Sequence, residues 1–245
     1  MFYVTSDLHG CHPHALIRLL AQDNFCEDDY LFILGDVIDR GEFGAELLLW
    51  ISQQPNVQLI LGNHEALMLA CSFLFEDVND ESLAKLTPES LALVQNWIDN
   101  GGEPTIRGMK RLLLKDPELV KGIFEYLREE ATLYDELKMD GHRYIFTHAG
   151  LGNFSPQRKL EDYSPEELLM VRPNPDDRYY DDATVIFGHT PTAYFGTEHN
   201  GKAYHGPGWI CIDTGAAMGG KPMLLRLIGG HPEDRKEIYF PSENN

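Results

Sequence analysis

The sequence predicts an α/β fold, and three observations predict it. Short apolar runs occur at residues 2–4, 31–34 and 57–61, each of a length that suits a buried strand. Each is followed by a stretch with apolar residues at helical spacing: 13–22, carrying Leu16, Ile17, Leu19 and Leu20, then 42–52, then 65–75. The resulting β-α-β-α-β-α order is that of strands joined by crossover helices. Further apolar runs at 144–146, 184–187, 209–212 and 223–227 bring the expectation to about seven strands. They lack long intervening helices, so the sheet is expected to become partly antiparallel.

Residues 76–141 read as a helical insertion within a single domain spanning 1–245. Thr87-Pro88 and Asp116-Pro117 each pair an N-cap residue with a proline suited to a first helical turn. Leu91, Val94 and Ile98 can share one face, as can Leu119, Val120, Ile123, Phe124 and Leu127. Core packing is the plain expectation for these helices, and a cap over a cleft the narrower one. Ser164-Pro165-Glu166-Glu167 has a capping-box pattern that opens a short helix. Residues 174–182 read as a loop, and 241–245 as a frayed terminus.

With 43% apolar and 24% charged residues, the 245-residue chain has an ordinary globular composition. Its formal charge of −19 sets up a field that repels nucleic acid and anionic membranes, so neither is expected as a partner. A phosphate substrate would need locally positive charge. The apolar residues 2–4 run directly into Asp7 and His9, which leaves no room for a signal peptide's long apolar region. No apolar run approaches the ~18 residues of a membrane span. Cys11, Cys26, Cys71 and Cys211 are widely spaced and form no Cys-x-x-Cys pair, so reduced thiols and a cytoplasmic location are expected.

The chemistry gathers where the apolar runs end. Asp7 and His9 follow the first run, and an extended backbone would place their side chains on one side. Gly35-Asp36-Val37-Ile38-Asp39-Arg40-Gly41 follows the second. There Asp36 could bridge two cations through its two oxygens, and Arg40 could hold phosphate oxygens bidentately. Gly62-Asn63-His64-Glu65 follows the third, offering an amide oxygen and an imidazole. His148 and His189 follow later runs. Each residue alone has an ordinary structural reading, as a satisfied loop histidine or a buried Asp-Arg pair. Five successive strand ends that each deliver a metal-competent side chain do not. Oxygen and nitrogen donors without thiolate suit manganese, iron or zinc better than calcium.

The motifs Asp7-x-His9, Gly35-Asp36-x-x-Asp39-Arg40-Gly41, Gly62-Asn63-His64-Glu65, His148 and Gly188-His189 resemble those of the calcineurin-like metallophosphoesterases. Asp39-Arg40-Gly41 and Asn100-Gly101-Gly102 most resemble the bacteriophage lambda-type and bacterial protein serine/threonine phosphatases. The resemblance implies a four-layer α/β/β/α sandwich of two mixed sheets, here with a helical cap insertion. It implies a first metal on Asp7, His9 and Asp36, and a second on Asp36, Asn63, His148 and His189. Two divalent or mixed-valence ions are expected, manganese first in vitro, with iron or zinc as the others.

In the reaction that this resemblance implies, a water activated by the metal pair attacks phosphorus. Arg40 and Arg172 bind phosphoryl oxygens, and His64, oriented by Asp39, protonates the leaving oxygen. Arg172 enters through Val171-Arg172-Pro173, which only partly matches the family's second arginine region. The expected activity is serine/threonine-type phosphoprotein dephosphorylation, on a phosphorylated protein or a small phosphoester. The alternative is symmetrical hydrolysis of dinucleoside tetraphosphates, and a non-catalytic interaction module is the reading from a different class. His12, His14, His142, His199 and His205 read as surface or supporting residues, Asp213 as a turn cap and Cys11 as a packed thiol. Oligomeric state is not legible.

Overall fold

Alternation along the strands decides the layering. In β1 (Phe2–Thr5) and β2 (Tyr30–Ile33), Tyr3, Leu31 and Ile33 point to one face of a sheet, while Val4, Phe32 and, just beyond β2, Leu34 point to the other. The first set packs under helices and the second against another sheet. The structure, a computed structural model, is described over residues 1–76, 79, 86–231 and 233–240. The terminus at 241–245, and 77–78 and 80–85 of the insertion, lie outside the described residues.

Crossover helices α1 (Pro13–Gln22), α2 (Gly44–Ile51) and α3 (Asn63–Ala70) alternate with β1, β2 and β3 (Val57–Leu59) as expected. The third ends earlier than its periodicity suggests and passes into a 3-10 turn over Ser72–Phe75. Then come α4 (Pro88–Asp99), α5 (Glu103–Lys115) and α6 (Pro117–Glu129). Thr87 and Asp116 cap α4 and α6 as read from the sequence, each accepting a backbone N–H from the first turn. The buried face of α4 is not the one expected. Leu91 and Ile98 are exposed, Val94 packs against the core half-buried, and Trp97 is the fully buried residue of α4. Helix α6 buries Val120, Ile123, Phe124 and Leu127 as expected.

The remaining strands are β4 (Tyr134–Met139), β5 (His142–Thr147), β6 (Ala183–Phe187), β7 (Tyr204–Gly206), β8 (Trp209–Cys211), β9 (Leu224–Leu227) and β10 (Arg235–Ile238), with α7 (Pro165–Leu169) between β5 and β6. Ten strands among the described residues replace the expected seven. The three additions, β4, β7 and β10, are all sheet edges. Strand β4 lies inside the range read as helical insertion. Edge strands bury little, so they lack the apolar run that marks a central strand.

One sheet runs β10-β9-β1-β2-β3 and the other β4-β5-β6-β8-β7. In the first, β1, β2 and β3 are parallel and β9 and β10 antiparallel; in the second, β5, β6 and β8 are parallel and both edges antiparallel. Both sheets are therefore mixed. Their facing sides interlock through Val4, Phe32, Tyr144, Phe146, Ile186 and Ile210. Phe32 stacks on Phe146 with ring centroids 4.2 Å apart and planes 22° from parallel, a contact worth about 1 kcal/mol beyond its buried area. Helices α1 to α6 cover the outer face of the first sheet, sharing one apolar core with Tyr3, Leu31 and Ile33. A thinner layer of α7 and the loops carrying Leu151, Tyr163, Tyr179 and Tyr180 covers the second. This is the four-layer α/β/β/α sandwich. Among the described residues no helix is long and apolar enough to cross a membrane, and the four cysteines are free thiols.

Candidate metal centre

The parallel strands of both sheets end along one edge, the place where such sheets collect ligands. Three contacts fasten these strand ends, the first and third of them from one sheet to the other. The His148 ring donates Nδ1–H to the Leu34 carbonyl at 2.7 Å, the Gly188 amide donates to the His148 carbonyl at 2.8 Å, and the His189 amide donates to Asp7 Oδ2 at 3.0 Å. Asp7, His9, Asp36, Asp39, Arg40 and His189 all have positive φ, between 40° and 70°. Non-glycine residues rarely adopt that region, and a cluster of them is held only where surrounding bonds over-determine the backbone. Glu65 supplies such bonds: its buried carboxylate accepts the amides of Asp36 at 2.8 Å, Val37 at 2.9 Å, Ile38 at 3.3 Å and Gly62 at 3.0 Å.

Asp36 stands at the middle. Its Oδ2 faces His9 Nε2 at 3.6 Å and His64 Nε2 at 3.8 Å, while its Oδ1 faces His148 Nε2 at 3.4 Å. Asp7 Oδ1 lies 3.9 Å from His9 Nε2, and Asn63 Oδ1 lies 3.0 Å from His148 Nε2. The structure thus brings Asp7, His9, Asp36, Asn63, His148 and His189 together. It also collects two sets of donor atoms, each within 4.8 Å: His9, Asp36 and His64, and Asp36, His148 and His189. Asp36 belongs to both. His64, read from the sequence as an acid rather than a ligand, is a member of the first set, and Asp7 is in neither.

A cation fits what these atoms require. The Leu34 and Ile38 carbonyls can only accept, so Nδ1 of His148 and of His9 carries the proton and each Nε2 presents a bare lone pair inward. At His148 that lone pair faces the amide oxygen of Asn63 and the carboxylate of Asp36, acceptor against acceptor in a buried site. Burial lowers the pKa of His9 and of His189 to about 3, which keeps both imidazoles in the neutral, ligating form. Burial, then repulsion from Asp213 and Asp36, pushes the Asp7 carboxyl well above its ordinary range. Two divalent ions would neutralise that cost, and the nitrogen and oxygen donor set suits them.

Beside these donors, His64 Nδ1 donates to Asp39 Oδ2 at 2.6 Å. Asp39 is fully buried and takes two further donors, the Trp97 indole N–H on Oδ2 at 2.9 Å and the Thr105 hydroxyl on Oδ1 at 2.6 Å. Both come from the insertion helices. Burial alone would lower the His64 pKa, but the nearby Asp36 and Asp39 outweigh it and raise it. Arg40 places Nη1 3.3 Å from His9 Nε2 and Nη2 3.3 Å from His64 Nε2. Its backbone amide donates to the Gly101 carbonyl at 2.8 Å, which seats the α4–α5 turn against the site. Arg172 donates from Nη1 to the His189 carbonyl at 3.0 Å.

Glu65, Trp97, Thr105 and Ser6, whose hydroxyl bonds Asp7, were not singled out from the sequence. Asp213 caps its own turn through the Gly215 amide at 2.9 Å, as read. Burial nevertheless raises its pKa to about 6. Burial lifts the Cys11 thiol to about 11, in keeping with a packed side chain.

Comparison with known proteins places the chain in a family. A family model described as calcineurin-like phosphoesterase matches residues 1–214. Among curated relatives, a symmetrical bis(5'-nucleosyl)-tetraphosphatase of Buchnera aphidicola is 35% identical over 102 residues, 39% of this chain and 36% of its own. The chain thus spans little more than a third of the length of the first curated relatives it matches. A protein of the same name from Baumannia cicadellinicola is 24% identical over 98% of this chain and 92% of its own. Among solved structures, a candidate diadenosine tetraphosphatase superposes with a TM-score of 0.61 at 17% identity, covering 98% of this chain and 94% of its own. A serine/threonine phosphatase of Saccharomyces cerevisiae does so with 0.56 at 13% identity, covering 100% and 81%. The chain belongs to the calcineurin-like phosphoesterase family.

Proposed function

We propose that the protein hydrolyses dinucleoside tetraphosphates symmetrically, releasing two nucleoside diphosphates. The observation that carries the choice of substrate is the alignment with the Baumannia tetraphosphatase, which runs nearly end to end in both chains. The phosphoprotein reading suggested by Asp39-Arg40-Gly41 has weaker support, because the yeast phosphatase shares the fold at only 13% identity.

In this reading Asp7, His9 and Asp36 hold one divalent ion, and Asp36, Asn63, His148 and His189 a second, with manganese the first choice and iron or zinc the others. When bound, the pair supplies Lewis-acid charge to the phosphoryl oxygens and acidity to the attacking water. Arg40, beside His9 and His64, and Arg172, beside His189, bind phosphoryl oxygens. Water oxygen forms a bond to phosphorus as the bond from phosphorus to the oxygen bridging the central phosphates breaks. His64, its Nδ1–H fixed on Asp39, delivers a proton from Nε2 to the departing oxygen. A departing phosphate oxygen, with a pKa of about 6, needs that proton far less than a serine alkoxide does. The free thiols favour a reducing compartment such as the cytoplasm.

The test is product analysis with manganese-loaded protein. Diadenosine tetraphosphate should give ADP alone, with kcat/KM at least about 100-fold above that for a phosphoserine peptide. AMP and ATP as products, or preference for the peptide, would overturn the proposal.

A further inference from the structure

The loops after β1 and β2 carry more than ligands. The Gly41 amide donates to the His9 carbonyl at 3.1 Å, and the Phe43 amide to the Gly10 carbonyl at 3.1 Å. Gly10, at φ +59, and Gly41 approach so closely that a Cβ on either would overlap the other's backbone. This zipped pair of loops continues outward from the metal-ligand candidates into three rings. His12 lies with its ring centroid 4.4 Å from Phe43 and 4.6 Å from His14. The rings are tilted to each other by 58° and 45°, so none covers another face to face, and both histidines are exposed.

His12 is held in place. As N-cap of α1 its Nδ1 accepts the His14 amide at 3.2 Å, which leaves the proton of the neutral ring on Nε2. An exposed ring fixed by a cap bond and by Phe43 loses little freedom when a ligand lies on it. His12 is three residues from His9, so the two Cα atoms are at most about 11 Å apart. On a chain with a formal charge of −19, a polyanion gains no attraction from the outer surface. A neutral π surface can hold the uncharged end of such a molecule.

We propose that His12, with Phe43 and His14 beside it, is a stacking platform for one nucleobase of the substrate. This rests on the nucleotide reading of the site given above. Nucleobases stack on aromatic and imidazole rings whatever their sequence identity, at about 1–3 kcal/mol per base, or roughly 5- to 150-fold in affinity.

The test compares ligands that differ only in the base. AMP and ribose 5-phosphate are titrated calorimetrically into the manganese-loaded protein and into His12→Asn and Phe43→Leu variants. Asparagine keeps the helix cap while removing the ring, and leucine keeps apolar volume while removing the π face. The parent should bind AMP about tenfold more tightly than ribose 5-phosphate. His12→Asn should erase that difference and Phe43→Leu reduce it, with the ribose 5-phosphate constant held within about twofold, and His12→Trp should restore it. Equal binding of the two ligands by the parent, or an AMP advantage that survives His12→Asn, overturns the platform. A base advantage that depends on His12, in a protein that does not cleave diadenosine tetraphosphate, would retain the platform and discard the substrate. Cleavage without such an advantage would do the reverse.

Discussion

Trp97 donates its indole N–H to Asp39 Oδ2 at 2.9 Å, the same oxygen that receives His64 Nδ1 at 2.6 Å. A helix of the insertion thus reaches the proposed proton donor through one carboxylate. Trp97→Phe keeps the volume and removes the donor. Hydrolysis of an alkyl phosphate should fall about tenfold, and that of an activated aryl phosphate by clearly less, because only the poor leaving group needs its proton early. Equal loss on both substrates, measured with full metal content, would show that the indole supports packing alone.

Glu65 collects four backbone N–H groups in a fully buried position. Burial, then repulsion from Asp36, raises its pKa to about 7, against the backbone donors, which favour the charged form. Glu65→Gln turns an amide NH2 toward donors that already point inward. The variant should lose about 2 kcal/mol in urea unfolding and bind manganese more weakly, since Asp36 is among the amides released. Unchanged stability would mean that the 36–38 backbone holds its conformation unaided.

Asp23, at the C-terminal end of α1, accepts the Tyr3 hydroxyl at 3.1 Å and Arg226 Nη1 at 2.7 Å, and pairs with Lys236. It joins the helix to β1, β9 and β10. Burial alone would raise its pKa, but the bonds from Lys236, Arg226 and Tyr3 outweigh it and lower the carboxyl below its ordinary value. Its contribution is therefore complete above the unfolded pKa of about 3.9 and is lost as pH falls through the lower folded value. Asp23→Asn should cost about 1–3 kcal/mol in urea unfolding at pH 7 and progressively less below about pH 4. A constant difference across that range would contradict the assignment.

Gly188 tolerates no side chain, because a Cβ there would fall on Ser6 Oγ and Asp7 Oδ2. Gly188→Ala should fold, yet displace Asp7 and lose one bound metal per chain by elemental analysis. Retention of both would show that Asp7 is not a ligand.

What the sequence disclosed and what it hid follow one physical distinction. Central strands and crossover helices are buried on predictable faces, so their periodicity is visible, and Asp7, Asp36, Asn63, His148 and His189 drew attention because each lies just beyond such a strand. Strands β4, β7 and β10 are edges, with polar residues where a central strand would be apolar. Trp97 and Thr105 lie 58 and 66 residues from Asp39, and no local pattern encodes a bond across that separation. Trp97 did carry one usable signal, since a tryptophan turned into a core needs a partner for its N–H. Glu65 carried another, standing at the third helical position where a carboxylate caps its own helix. The preference for a phosphoprotein substrate came from Asp39-Arg40-Gly41 and Asn100-Gly101-Gly102, which meet beside His9 and His64 and say little about what a phosphate would be attached to.

The proposed chemistry depends most on Asp36 serving two cations at once. Anomalous diffraction from a manganese-loaded crystal addresses that directly. Two peaks should flank the Asp36 carboxylate, one beside His9 and Asp7, the other beside Asn63, His148 and His189. A single peak, or a pair that does not share Asp36, would contradict it.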